Sequence, residues 1–275
     1  MKWIVLTALL SNCLIGFAQT VEQTFNLALE QQASNNFRSA INTYERVIFF
    51  DSENSFAHKA YYNIATCHLN LNEPNKQLKA YDKAILFEAN DTLANELAFE
   101  KTYCLLQNKY WKKALQELYS IKPLTEAQTR LHHYYLGAAL FASDDFVRSE
   151  FQFQKLVTNQ DDSIQIAHIF KRTKFKLNPK RALWAKRISF LIPGSGQIAS
   201  GNIKGGLNSI MLLGGLGYLY INTVENYGLL SGMITVLPWL SRYHIGGAEN
   251  AEESMLSRQE KLKSQYFDEL VQIVR

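Results

Sequence analysis

Between residues 19 and 160, apolar side chains recur at steps of three and four, the spacing of one helix face. The segments pair off: FNLALEQQASNN precedes FRSAINTYERVI, HKAYYNIATCHLN precedes PNKQLKAYDKAI, and ELAFEKTYCLLQN precedes WKKALQELYSI. This predicts helix–turn–helix units. No single pair buries its apolar face, but a stack does. Beyond Trp184 the pattern changes. Gly206 to Val224 is a run of nineteen residues without charge, close to the ~20 apolar residues that cross ~30 Å of hydrocarbon. A turn is expected at Glu225-Asn226. A second apolar run then follows, Tyr227 to Leu240, interrupted by Pro238. The two runs predict a helical hairpin in a membrane. From Ala248 a charged amphipathic helix is expected, with Met255, Leu256, Leu262, Tyr266, Phe267, Leu270 and Ile273 as its apolar stripe. It either packs back on the rest of the chain or pairs with a second copy.

Set in register at a spacing of 37, Phe37, Pro74 and Trp111 align, as do Ala40, Gln77 and Ala114; Ile41, Leu78 and Leu115; and Tyr44, Tyr81 and Leu118. A fourth unit keeps the pattern at a spacing of 35 in its second helix, where Ser149 and Phe153 take the places of Ala114 and Leu118. Small residues let helices approach, and the aromatic four positions on fills the gap between neighbours. The small–aromatic–small steps Ala40/Tyr44/Val47 and Tyr81/Ala84, with the Leu136-Gly137 step of a first helix, resemble the tetratricopeptide repeat over about residues 21–160. Gln77 and Lys101-Thr102 depart from that pattern. The resemblance implies a groove that holds a protein or peptide partner. A spacer or dimerisation scaffold is the alternative. Cys67 and Cys104 stand 37 apart, in equivalent places on neighbouring helices. Helix packing at ~8–10 Å against the ~7 Å Cα limit of a disulfide predicts two free, buried thiols. Adjacent His132 and His133 point about 100° apart on a helix, a poor chelate, so packing in the groove is expected instead.

The join between the two patterns is basic. Lys171, Arg172, Lys174, Lys176, Lys180, Arg181, Lys186 and Arg187 precede the apolar segment, and no Asp or Glu occurs between Ser163 and Val224. Asp161-Asp162-Ser163 is expected to cap a helix over Ile164–Lys174. Pro179 opens the next, whose mix of basic residues with Trp184, Phe190 and Leu191 suits a membrane interface. Contact with lipid head groups is expected at Lys171, Arg172, Lys180, Arg181, Lys186 and Arg187. The glycines that follow lack the spacing of a phosphate-binding loop. Those of the span, Gly214, Gly215 and Gly217, suit close helix approach. Pro193, Gly194, Gly196 and Gln197, then Lys204 and Gly205, then Arg242, Tyr243, Gly246 and Gly247 resemble a bacterial small-hairpin membrane module. That resemblance carries an architecture and no activity.

Met1 to Ala18 has the make-up of a secretory signal peptide: Lys2, an apolar stretch, and Gly16-Phe17-Ala18 before the cut. Leu10-Ser11-Asn12-Cys13 offers a lipoprotein box as the rival reading, and either way the body is exported. The divisions expected are a signal peptide at 1–18, about four repeats at 19–160, and a basic linker with an interfacial helix at 161–187. The hairpin module follows at 188–247 and the amphipathic helix at 248–275. The fold class is all-α: a tetratricopeptide-like helical-hairpin solenoid, a two-helix membrane hairpin and a C-terminal helix. Net charge is +4, with one basic block and few interleaved aromatics, which does not favour nucleic acid. No nucleophile–base pair, metal cluster or cofactor motif stands out, so no enzyme and no cofactor is expected. The expected role is a scaffold at a bacterial membrane, with the repeats facing the periplasm. The alternative is a small transport or channel element capped by the repeats. Export puts the basic block outside the cytoplasm, against the positive-inside rule. A re-entrant Ile188–Ile198 segment, a long translocated domain or an outer membrane would resolve this.

Overall fold

The structure is a computed structural model and describes residues 20–275. The expected signal peptide and Cys13 lie outside the described residues. Every regular element among the described residues is a helix. The chain divides into two compact units between Ser143 and Asp144, within the fourth expected repeat.

The first unit holds α1 (Val21–Ala33), α2 (Phe37–Phe50), α3 (Ala57–Asn70), α4 (Pro74–Phe87), α5 (Asp91–Gln107), α6 (Trp111–Ser120) and α7 (Glu126–Ala142). Each helix packs on the next, and α5 also packs on α7. One apolar core runs through the pairs and includes Ala40, Tyr44, Val47, Leu78, Tyr81, Ala114, Leu118 and Leu136. Ala84 and Gly137 are buried as well. Thr20 opens α1 with a capping box: its hydroxyl accepts from Gln23 N–H while the Gln23 side chain accepts from Thr20 N–H.

The turn inside each pair follows one rule. Asn35, Asn72 and Lys109 all have φ of 55–60°, again 37 apart. After each, the next N–H bonds back five residues: Asn36 to Gln31, Glu73 to His68, Tyr110 to Leu105. This is the Schellman end of a helix, which needs a left-handed residue. Asparagine tolerates that region and lysine does not. Lys109→Gly should therefore raise the stability of this unit by roughly 0.5–1 kcal/mol, read as a higher denaturation midpoint.

The departures from the repeat pattern are compensated by polar bonds. Gln77 is buried where Ala40 and Ala114 stand in its neighbours, and its Oε1 accepts from the Cys104 thiol at 3.1 Å. Thr102, fully buried, donates to the Ala98 carbonyl at 2.8 Å. Lys101 bridges Asp82 on α4 and Glu117 on α6. Burial pushes the Lys101 ammonium down, but the two carboxylates outweigh it and hold its pKa above the usual lysine value. Its contribution to stability is complete below that usual value and is lost as pH rises through the raised one. Lys101→Ala leaves two carboxylates facing each other across half-buried ground, at an expected cost of about 1–3 kcal/mol by denaturant melting.

The second unit holds α8 (Phe146–Gln154), α9 (Gln160–Lys176), α10 (Lys180–Leu191), α11 (Ser195–Ala199), α12 (Ile203–Tyr227), α13 (Leu229–Thr235) and α14 (Leu237–Val274). Its spine is α14, 38 residues and so about 57 Å long, against which α9 to α13 all pack. Ala248, Ala251, Met255, Gln259, Tyr266, Leu270 and Val274 form its buried stripe. Phe153 of α8 is fully buried, with ring centroids 6.1 Å from Phe170 and 6.4 Å from Phe267.

Three local expectations change. Asn159, not the Asp161–Ser163 cluster, caps α9, because its side chain reaches Asp161 N–H. The chain reverses at Gly228, not at Glu225-Asn226, since Gly228 has the positive φ (84°) that the turn needs. The second apolar run does break at Pro238, as the sequence suggests. The proline lies in the first turn of α14, where its missing N–H costs no hydrogen bond. The second apolar run is therefore split into α13 and the start of α14, and α14 continues without a break through residue 248.

Candidate functional site

Two surfaces carry the residues singled out above, one in each unit. In the second unit, α10 ends at Leu191, the chain turns back through Ile192–Gly194, and α11 returns toward α12. The turn depends on close backbone approach. Gly194 has φ of 82°, and a Cβ on it would lie 2.3 Å from the Gly206 carbonyl oxygen. A Cβ on Gly196 would lie 2.1 Å from the Ala185 carbonyl oxygen. At Gly232 of α13 a Cβ would lie 2.6 Å from Val224. Gly214, Gly215 and Gly217 have nothing within 4 Å, so close approach inside this chain falls at other glycines than those expected.

These contacts bring Gln197 to a junction of three helices, where it is 1% exposed. Ser189 Oγ of α10 donates to its Oε1 at 3.2 Å. Its Nε2 donates to Ser209 Oγ of α12 at 3.1 Å and to the Gly247 carbonyl of α14 at 2.8 Å. Ser189 Oγ also accepts from Gly196 N–H at 2.8 Å. The two ends of the module, Gly194–Gln197 and Gly247, thus meet in one buried polar knot. Asn202 caps α12 through Gly205 N–H. Lys204, Arg242 and Tyr243 are exposed and a Cβ on Gly246 would meet nothing within 4 Å, so these four stand outside the knot; Tyr243 stacks on Trp239. Pro193, at the turn, is half-buried. Sequence reasoning missed Ser189 and Ser209. Their signal was a lone hydroxyl in each of two apolar runs, ISFLI and SIMLL.

The knot sits beside the apolar surface. Ile203–Tyr227 is the helix among the described residues that is long and apolar enough to cross a membrane, and none of its apolar window is buried. Two contacts fix the register of α12 against the returning limb: Gly247 meets Ser209, and Gly232 meets Val224. Trp184, Phe190, Leu191 and Ile192 are exposed at the end of α10, and Phe190 packs on His244 with ring centroids 4.8 Å apart.

The basic block is not one free surface. Arg172 pairs with Glu269 and lies over the Tyr266 ring, Lys174 pairs with Glu150, and Lys186 pairs with Glu252. The Glu252 hydrogen bond raises the Lys186 pKa. Arg181 lies over Phe175, while Lys171, Lys180 and Arg187 face solvent. Half of the expected cationic patch thus serves to fix α9 and α10 on their neighbours.

In the first unit, α3 and α5 frame a pocket of about 270 Å³, with Tyr62, Leu93 and Leu97 as apolar wall and Glu88, Glu96 and Glu100 at its rim. Glu88 lies 3.6 Å from His58. Burial first, and the Glu100 charge second, push the Tyr135 hydroxyl up to about 12. The surface is therefore aromatic and net acidic. His132 packs inward, its Nε2 2.9 Å from the Leu118 carbonyl. Cys67 and Cys104 are free and buried, and burial raises the Cys67 thiol to about 11. No family model matches the chain, and no curated protein matches it in sequence.

Proposed function

We propose that this chain is an exported, membrane-anchored scaffold. Its tetratricopeptide-like repeats hold a protein or peptide partner at a bacterial envelope, and its hairpin module holds the repeats to the membrane. The observation that carries this reading is the apolar flank of Ile203–Tyr227, none of whose apolar window is buried, fastened by the Gln197 knot to the long spine α14. Large exposed apolar area of this kind calls for a partner or a lipid phase. The returning limb supplies Leu229, Leu230, Ile234 and Trp239 to the same band. By the register above, Arg242 falls level with Gly214, about 7.5 Å past Ser209, within reach of an arginine that snorkels to the boundary. The turn after α10 supports a re-entrant Ile188–Ile198 segment, which eases the conflict between export and the basic block.

Glu88 is paired with His58, but Glu96 and Glu100 still outnumber the pocket's Lys59, and this net acidic wall beside Tyr62 and Leu93 argues for a partner segment that offers a cation beside an apolar side chain. Fractionation tests the anchor: the full-length protein should resist carbonate washing, and the repeats should be digested when protease is added to spheroplasts. A protein that washes off the membrane would overturn the anchored reading. Recovery of the same partner with Glu96→Lys/Glu100→Lys as with the wild type would remove the groove from it.

A further inference from the structure

Next to the Gln197 knot lies an open polar cleft of about 800 Å³. One wall is the first turn of α12 with Asn202; the other is a single stripe of α14, in which Asn250, Glu253, Ser254, Ser257, Arg258 and Lys261 follow one another at helical spacing. The opposite stripe of α14, Ala248, Ala251, Met255 and Gln259, is buried against the rest of the unit. The polar stripe is left to face the cleft.

One close approach and two hydrogen bonds place the cleft along the axis of the hairpin. Gly247 meets Ser209, Asn202 Nδ2 donates to Ser254 Oγ at 3.2 Å, and Arg258 Nη1 donates to the Ala199 carbonyl at 3.0 Å. Within the uncharged run Gly206–Val224, the unbroken apolar stretch begins one residue past Ser209, at Ile210. The cleft therefore opens just outside the end of that band, at the height where the head groups of a bilayer would lie. Arg258 spends one donor on Ala199 and keeps the remainder of its five-donor fork for an anion. Lys261 follows one turn along, and the positive end of the α12 dipole points to the same space. Amides and hydroxyls of Asn208, Asn250 and Ser257 complete a lining suited to ester and glycerol oxygens. Glu253 is the one carboxylate in that lining and opposes an anion.

We propose that this cleft binds the phosphate-bearing head group of a membrane phospholipid, with Arg258 and Lys261 on the phosphate. The inference rests on the membrane reading above.

The test uses full-length protein in detergent, titrated with short-chain phosphatidylglycerol, with the uncharged diacylglycerol of the same chains, and with glycerol 3-phosphate. The phospholipid should bind best. Lys261→Ala should weaken it about fivefold and Arg258→Ala/Lys261→Ala about 30-fold, at ~1 kcal/mol per cation near a phosphate surface. Glu253→Gln should tighten it, an outcome that mere loss of structure does not produce. Lys261 is exposed, so its variant tests charge without disturbing the Arg258–Ala199 bond. Equal binding of diacylglycerol, or unchanged affinity in both cation variants, would overturn the site. Glycerol 3-phosphate binding as tightly as the phospholipid would overturn its assignment to a lipid. Carbonate washing of the same preparations separates the two layers. If the wild type stays in the membrane while the titration is flat, only the cleft falls. If it washes off, the membrane reading falls first.

Discussion

Gly196→Ala is expected to cost more than about 3 kcal/mol and to open the segment between α10 and α12. The added Cβ would lie 2.1 Å from the Ala185 carbonyl oxygen and 2.6 Å from Ser189 Oγ. The first of these atoms is backbone in the middle of α10, so no rotamer change relieves it. Either α10 shifts or α11 leaves its seat. Ordinary overpacking costs about 1–3 kcal/mol when side chains alone must move; a fixed carbonyl puts this case above that range. The displacement would also pull Gln197 from Ser209 and Gly247 and leave their buried groups unpaired, at about 1–3 kcal/mol for such a group. Thermal melting of the full-length protein in detergent reads the loss, and limited proteolysis at Ile192–Asn202 locates it. Gly214→Ala is the control: nothing lies within 4 Å of that position, so a change within about 0.5 kcal/mol is expected. Equal effects at the two glycines would remove the close-approach account of the turn.

That contrast also marks what was legible in the sequence. The motif residues Gly194, Gly196 and Gln197 stood out as a group, yet nothing in a string of letters says that Gln197 bonds to Gly247, fifty residues on. The register of two helix limbs decides it, and register is a tertiary quantity. Glycines in the apolar run were read as the sites of helix approach because small residues permit it. Permission is not contact, and the contacts fall at Gly194, Gly196, Gly206 and Gly232. The basic block is legible as charge, but not its ion pairs, because the partners Glu150, Glu252 and Glu269 lie 24 to 97 residues away in sequence. Glu252 and Glu269 belong to the C-terminal helix, for which two fates were open. The structure buries Met255, Tyr266 and Leu270 of its expected stripe within its own unit and leaves Leu256 exposed.

In the first unit the helices and their pairing followed from periodicity, since residues three and four apart share a face whatever the distant chain does. The left-handed turn residues repeat with the same spacing as the core, but they read Asn, Asn and Lys. Lysine at such a place gives no turn signal of the kind glycine or asparagine gives. In sequence, Gln77 departs from the pattern. Its side chain is held by a thiol from the next unit, a partner visible only once α4 and α5 are packed.

Tyr81→Ala combined with Leu78→Ala should unfold most of the first unit while sparing the second. Both side chains are more than nine-tenths buried in the core that joins successive pairs. Truncating a buried aromatic costs about 3–5 kcal/mol and a buried leucine about 2–5. The two are neighbours on α4, so their costs overlap rather than add. Even a combined loss near 6 kcal/mol rivals the whole stability of an ordinary domain, about 5–15 kcal/mol. Where each pair leans on the next, loss of one interface frees its neighbours in turn. Hydrogen exchange should therefore rise across α3 to α6, beyond the altered helix. Exchange in α10 to α14 should stay slow, because those helices belong to a separate compact unit with its own buried stripe. Tyr81→Phe keeps the ring and should cost only about 1 kcal/mol, the worth of one hydroxyl hydrogen bond. Unchanged exchange in α3 and α5 in the double variant would mean that the pairs do not share their core in the way their packing implies.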